Sequence, residues 1–201
     1  MVMKQGTTSI VVLGAWNPAI ITPEWLLKHK VMEGSATHLR VMFASGGPRL
    51  AFDFDKVRWM IDTTRLDIRA QEFVDCGVFV TRVLGLLPHT PVKSIGTNFT
   101  FRCPIADWPK SKMPNLGDIQ LVPQPKYDDL RQMQWSCVRA LSESTRLTIT
   151  LTQQREKDVL VALNFHANTT EASEIAQHAA RWSEDKNVAI TVLRDMFGVT
   201  V

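Results

Sequence analysis

The stretch Arg146–His166, RLTITLTQQREKDVLVALNFH, restricts what this chain can fold into more than any other segment. Leu147, Ile149 and Leu151 alternate with Thr148, Thr150 and Thr152. After the polar segment Gln153–Asp158, Val159, Val161, Leu163 and Phe165 alternate with Leu160, Ala162, Asn164 and His166. Successive side chains of a strand point to opposite faces, so period two on both sides of a polar turn predicts an antiparallel hairpin with one strongly apolar face. A lone hairpin cannot keep such a face from water, so further strands and covering helices are required.

The first half supplies both. Ser9–Ala15 is almost continuously aliphatic, the mark of a strand buried on both faces and central in its sheet. Pro18 ends its pairing. Thr22–Lys30, TPEWLLKHK, reads as a short helix with Thr22 as N-cap, Pro23 in the first turn and Lys28 near the end. Three alternating segments follow, through Leu39–Phe43, Leu50–Phe54 and Val57–Ile61 running on toward Ile68, with SGGP at Ser45–Pro48 as a hairpin turn. A helix is predicted over Glu72–Leu87, where Phe73, Gly77, Val80, Leu84 and Leu87 form one stripe.

In the second half, a strand over Val92–Cys103 turns Ile95, Phe99 and Phe101 to one side and Ser94, Asn98, Thr100 and Arg102 to the other. Prolines then punctuate a loop-rich stretch with a short strand expected near Ile119–Val122. A segment over Gln134–Leu141 precedes the hairpin. After it, Asn168 with Glu171 reads as a capping box opening a helix through Ile175, Ala179 and Trp182. Ser183–Asn187, SEDKN, is expected to interrupt that helix before a last segment ending at Gly198. The expected fold is α+β, a broad antiparallel sheet with helices on one face. It is built from two pseudo-equivalent β-α-β-β-β-α halves, 1–91 and 92–201, within one continuous domain.

Two segments carry a resemblance. GAWNPAIITPEW, from Gly14 to Trp25, and the run from Phe43 to Phe101 are similar to a sporadically distributed family of uncharacterised bacterial and phage-borne proteins, over roughly residues 10–101. The motifs are an opening with glycine, Asn-Pro and tryptophan, an aromatic strand, a helix ending in a leucine pair, and a strand bearing isoleucine, glycine and asparagine. The resemblance implies a cytoplasmic or phage-encoded protein with no assigned activity and a role in conflict between bacterium and phage.

Composition narrows the function classes. No apolar run reaches 18 residues, and Ile10–Leu13 is too short for a signal-peptide core, so a cytoplasmic chain with no membrane partner is expected. Cys76, Cys103 and Cys137 form no CxxC pair and read as buried free thiols. Residues 1–100 carry 11 Lys/Arg against 8 Asp/Glu and residues 101–201 carry 12 against 12, without a basic tail or run, which argues against nucleic acid.

Chemical motifs are scarce. Asp75 beside Cys76 opposes thiolate formation, and no glycine-flanked elbow presents a nucleophile. The histidines lie too far apart for a ligand pair, and Asp53, Asp55, Asp62 and Asp67 read as a solvated sheet face before a cation site. No catalytic residues, metal or cofactor are therefore assigned. The candidate binding residues are Trp16 and Asn17 at the first strand exit, with Asn98, Thr100, Arg102, Asn164 and His166 on the polar sheet face. The leading expectation is a non-enzymatic protein-interaction module acting through its sheet face or edge on a protein partner, or as a homodimer. The alternative is a small-molecule or nucleotide-binding protein with a pocket between sheet and helices gathering Trp16, Asn17, Asn98 and His166.

Overall fold

Strand β1, Lys4–Gly14, is central to a sheet whose every pairing is antiparallel. The computed structural model describes residues 4–44, 47–104, 107–108, 132–154 and 158–198. The expected strand Ile119–Val122, the tip of SGGP and the centre of the Gln153–Asp158 turn lie outside the described residues. After β1 come α1 (Pro23–Lys28), β2 (Ala36–Ala44), β3 (Gly47–Phe54), β4 (Val57–Ile61), β5 (Arg65–Ala70) and α2 (Cys76–Leu86). Then follow β6 (Val92–Pro104), β7 (Gln132–Ala140), β8 (Thr145–Gln154), β9 (Asp158–Asn168), α3 (Ala172–Ala180) and α4 (Trp182–Phe197). Among the described residues the sheet has nine strands in the order β2-β3-β4-β5-β1-β6-β9-β8-β7. The fold is α+β, and no helix among the described residues is long and apolar enough to cross a membrane.

Local chemistry explains most of the boundaries. Thr22 Oγ1 accepts from the Trp25 amide at 3.2 Å, capping α1 as the sequence predicts. Gly198 ends α4 with φ of 67°, the left-handed conformation that glycine adopts without steric cost. The hairpin pairs as its alternation requires, Leu147 opposite Phe165 and Thr148 opposite Asn164.

Four expectations are corrected. The third alternating segment is two strands, because the Asp62 carboxylate accepts from the amide and hydroxyl of Thr64 at 2.9 and 2.8 Å and closes a turn. The first half therefore has four strands between its helices. Helix α2 begins at Cys76, where Asp75 Oδ1 accepts from the amides of Gly77 and Val78, and the predicted first turn lies outside it. The Asn168–Glu171 capping box is absent. Thr169 takes that place, its hydroxyl donating to Glu174 and accepting from the Glu171 amide. Finally, the helix breaks at Arg181, and SEDKN lies inside α4 with Glu184 and Asp185 in its first turn. Acidic residues there complement the positive end of the helix dipole, so the polar cluster starts a helix where interruption was expected.

All helices whose packing is defined against β1, β5 and β6 lie on one side. Thr8, Ile10 and Val12 of β1 turn toward them, and Ser9, Val11 and Leu13 turn away. On the covered side Phe99 meets Trp182, Phe165 and Phe73 with ring centroids 5.5, 6.0 and 6.1 Å apart, and Phe52 stacks on Trp59 at 6.2 Å. Aromatic pairs at such separations add to the apolar burial that dominates the stability of the core.

Candidate functional site

The face opposite the described helices holds a shallow depression of about 470 Å³ over β5, β1, β6 and β9. Apart from Thr8, its residues come from alternate positions on each strand, and the register fixes their order. Arg69 lies opposite Ser9, Ser9 opposite Asn98, and Asn98 opposite Asn164. One step along, Asp67 lies opposite Val11, Val11 opposite Gly96, and Gly96 opposite His166.

Hydrogen bonds hold this surface. Asn164 Nδ2 donates to Asn98 Oδ1 at 2.6 Å, and Asn98 Nδ2 reaches the carbonyls of Gly96 and Ser9 at 3.3 and 3.4 Å. From the covered side, Trp182 Nε1 donates to Thr8 Oγ1 at 3.1 Å, and that hydroxyl donates to the Asn98 carbonyl at 3.2 Å. The Asn98 backbone is thereby tied to α4 and its side chain to β9. His166 Nε2 contacts Asn168 Oδ1 at 3.0 Å. Gly96 lies inside β6 in unbroken register, and a Cβ there would come within 3.0 Å of Asn164 Nδ2.

Of the residues singled out from the sequence, Asn98, Thr100, Asn164 and His166 come together in this depression. Arg102 lies on the same face farther along β6, 3.6 Å from Asp158. Trp16 and Asn17 lie elsewhere, in a depression of about 320 Å³ with Leu87 and His89, so the pocket gathering them with Asn98 and His166 does not form. Trp16 is buried with its indole N–H donating to the Val12 carbonyl at 3.1 Å, and Asn17 Oδ1 accepts from the Ala19 amide at 3.0 Å. Both sets of bonds shape the exit of β1 itself.

Sequence reasoning passed over Arg65 and Arg69. Asp67, on the open face, is only 1% exposed because both guanidiniums close over its carboxylate. Arg65 Nη2 donates at 2.7 Å, Arg69 Nη2 at 2.8 Å and Arg69 Nε at 3.0 Å. The signal was present as Arg-x-Asp-x-Arg at strand period, which puts all three side chains on one face. Asp53 is likewise occupied, accepting two bonds from Arg58 at 2.7 and 3.0 Å, and this pairing holds its carboxyl below the usual value. Asp62 pairs with Arg49 at 3.1 Å. Arginines thus neutralise three of the four carboxylates weighed as a cation site, Asp53, Asp62 and Asp67, and no group of three or more His, Cys, Asp or Glu side chains converges among the described residues.

The second notable surface is the edge strand β2. Leu39, Val41 and Phe43 are 56%, 55% and 84% exposed. Val41 lies opposite Leu50, whose side chain is in the core, so this row faces the helix side beyond the helices' cover. His38, with φ of 54°, marks an irregularity that shifts the register between Thr37 and Arg40.

Cys76 and Cys103 are buried and give no activated nucleophile, while Cys137, expected buried, is only partly so. Burial, aided by the charges of Asp75 and Asp67, pushes the Cys76 thiol up to about 12, and burial raises Cys103 as well. Compared with known protein families and with curated proteins, the sequence matches none.

Proposed function

We propose that this protein is a non-enzymatic interaction module that binds a protein partner by adding the partner's extended segment to the β2 edge. The observation that carries this reading is the exposure of Leu39, Val41 and Phe43 along a strand that, among the described residues, has a hydrogen-bonded neighbour on one side only. Exposed edges invite pairing, and proteins normally blunt them with lysine, proline or short length. Between Leu39 and Phe43, β2 carries one charge, Arg40, and no proline. An added strand would gain main-chain hydrogen bonds from the free edge, and apolar residues at alternate positions would cover Val41 and Phe43. The partner's segment is therefore extended and apolar at every second residue, and a second copy of β2 meets that description. The cytoplasmic setting and the role in conflict between bacterium and phage come to this reading from the family resemblance.

The pseudo-equivalence of residues 1–91 and 92–201 belongs to the same reading. Supporting it, the first strand of each half pairs with the last strand of its own meander, β1 with β5 and β6 with β9, and the two first strands pair antiparallel with each other. In a duplicated fold of this kind β2 and β7, the outer strands among the described residues, are where partners add.

The test compares wild type with the double variant Val41→Asp, Phe43→Asp in sedimentation and in capture from the native host. Both positions are exposed, so the fold should be kept. Wild type is expected to self-associate or to retain one stoichiometric protein, and the variant to do neither. Equal behaviour of the two proteins sinks the proposal, as does a wild type that stays monomeric and retains nothing.

A second reading, small-molecule binding, draws on the open-face depression. The crevice between sheet and helices at Ile95, Thr97 and Asp185 has a volume of about 10 Å³, room for roughly one water.

A further inference from the structure

The geometry points to an oxyanion-binding site on the open sheet face, taking a small phosphorylated molecule whose phosphate sits on Arg65 and Arg69 and whose polar body lies across Gly96 toward Asn164 and His166. Two guanidiniums share one carboxylate, so the cluster keeps a net positive charge, and Asp67 is so enclosed that it presents no oxygen to a ligand. Both arginine side chains are about half exposed beside the depression. Each guanidinium carries five N–H groups in a planar fork. Arg65 uses one of its nitrogens on Asp67 and Arg69 uses two, which leaves donors on both that bond to nothing else among the described residues. Asp67 also braces the two forks on a buried anchor, so little side-chain entropy remains to be lost when an anion binds. Paired, preoriented guanidiniums are the usual means of holding phosphate oxygens.

What lies beside the arginines argues for more than a bare ion. The three strand spacings from β5 to β9 amount to about 14 Å, enough for a phosphate at one end and a hydrogen-bonding body at the other. Val11 and Gly96 form the middle of this floor, and Gly96 contributes no side chain to fill it. At the far end Asn164 has an amide oxygen, and His166 a second ring nitrogen, with no partner among the described residues. Phe, Tyr and Trp are missing from the residues lining this depression, so the body is held chiefly by hydrogen bonds at its edge.

This site is independent of the β2 edge, and its test is separate. The probes are inorganic phosphate and adenosine monophosphate, titrated calorimetrically at constant ionic strength. Removing either arginine would leave Asp67 buried with less compensation and risk the fold. The decisive variants instead place carboxylates directly across from the arginines, Leu13→Glu opposite Arg65 and Ser9→Glu opposite Arg69. Leu13 is exposed, so Leu13→Glu leaves the core intact. Wild type is expected to bind both probes, adenosine monophosphate about tenfold more tightly. Leu13→Glu should weaken both about tenfold, and His166→Ala should remove only the advantage of the nucleotide. Absence of phosphate binding by wild type overturns the proposal, as does binding that Leu13→Glu and Ser9→Glu leave unchanged. A nucleotide no tighter than phosphate overturns the assignment of Asn164 and His166 to the ligand's body.

Discussion

Asn164 donates to Asn98 across 2.6 Å, joining β9 to β6 on the face that no helix covers among the described residues. The pair lies in the same row as Ser9 and Arg69, and Asn98 spends its own N–H groups on two backbone carbonyls beneath it. Side chains that bond one another and the backbone at the middle of an open face give that face a fixed pattern of donors and acceptors. A threonine surface with free rotamers would have none.

The two asparagines should therefore be energetically coupled. Asn98→Ala is expected to cost about 1 kcal/mol or somewhat more, since it removes the acceptor for Asn164 and the donor to two carbonyls, and Asn164→Ala rather less. Urea unfolding of both single variants and the double variant measures the coupling, expected near 0.5–1 kcal/mol. Strict additivity would show that the 2.6 Å contact contributes nothing to stability.

Two glycines in α2 should respond in opposite directions. A Cβ on Gly77 would lie 2.0 Å from the Ala179 carbonyl oxygen, because α2 and α3 approach backbone to backbone there. Gly77→Ala should destabilise by about 1–3 kcal/mol as the helices are forced apart. Gly85 faces open space within the same helix, and Gly85→Ala should stabilise by about 0.5–1 kcal/mol. Thermal melts of the two variants check both signs.

Asp185 makes stability depend on pH. Partial burial pushes its carboxyl up to about 6 from an ordinary value of 3.8, against the pull of Arg181 and with the help of Glu184. His178 and Arg181 face the same crevice. The fold binds this proton more tightly than the unfolded chain does, so the favourable contribution is complete below the unfolded value and is lost as pH rises through about 6. Asp185→Asn should raise stability near pH 8, by roughly 1 kcal/mol after discounting for its exposed part, and change little near pH 4. Denaturant midpoints across that range are the measurement. A variant no more stable than wild type at the higher pH would contradict the assignment.

Much of the fold could be read from local pattern. Alternation predicted which residues of β3, β6, β8 and β9 enter the core, and Thr22 and Gly198 marked helix ends through their own hydrogen-bonding and backbone preferences. Two of the misreadings share one cause. SEDKN and the turn at Asp62–Thr64 are short polar segments, and polarity alone does not distinguish a helix's first turn or a strand-to-strand turn from an interruption or a continuing strand face.

The candidate site divides along the same line. Sequence alone determined that Asn98 and Thr100 share a strand face, that Asn164 and His166 share another, and that Arg65, Asp67 and Arg69 share a third, because the pleat repeats every two residues whatever lies beside it. The tertiary structure alone decided that these faces adjoin while Trp16 and Asn17 lie in a separate depression. Which strand lies beside which is set by burying apolar rows and pairing backbone groups between distant segments, as when β1 is placed between β5 and β6. The period of one strand carries no record of that choice.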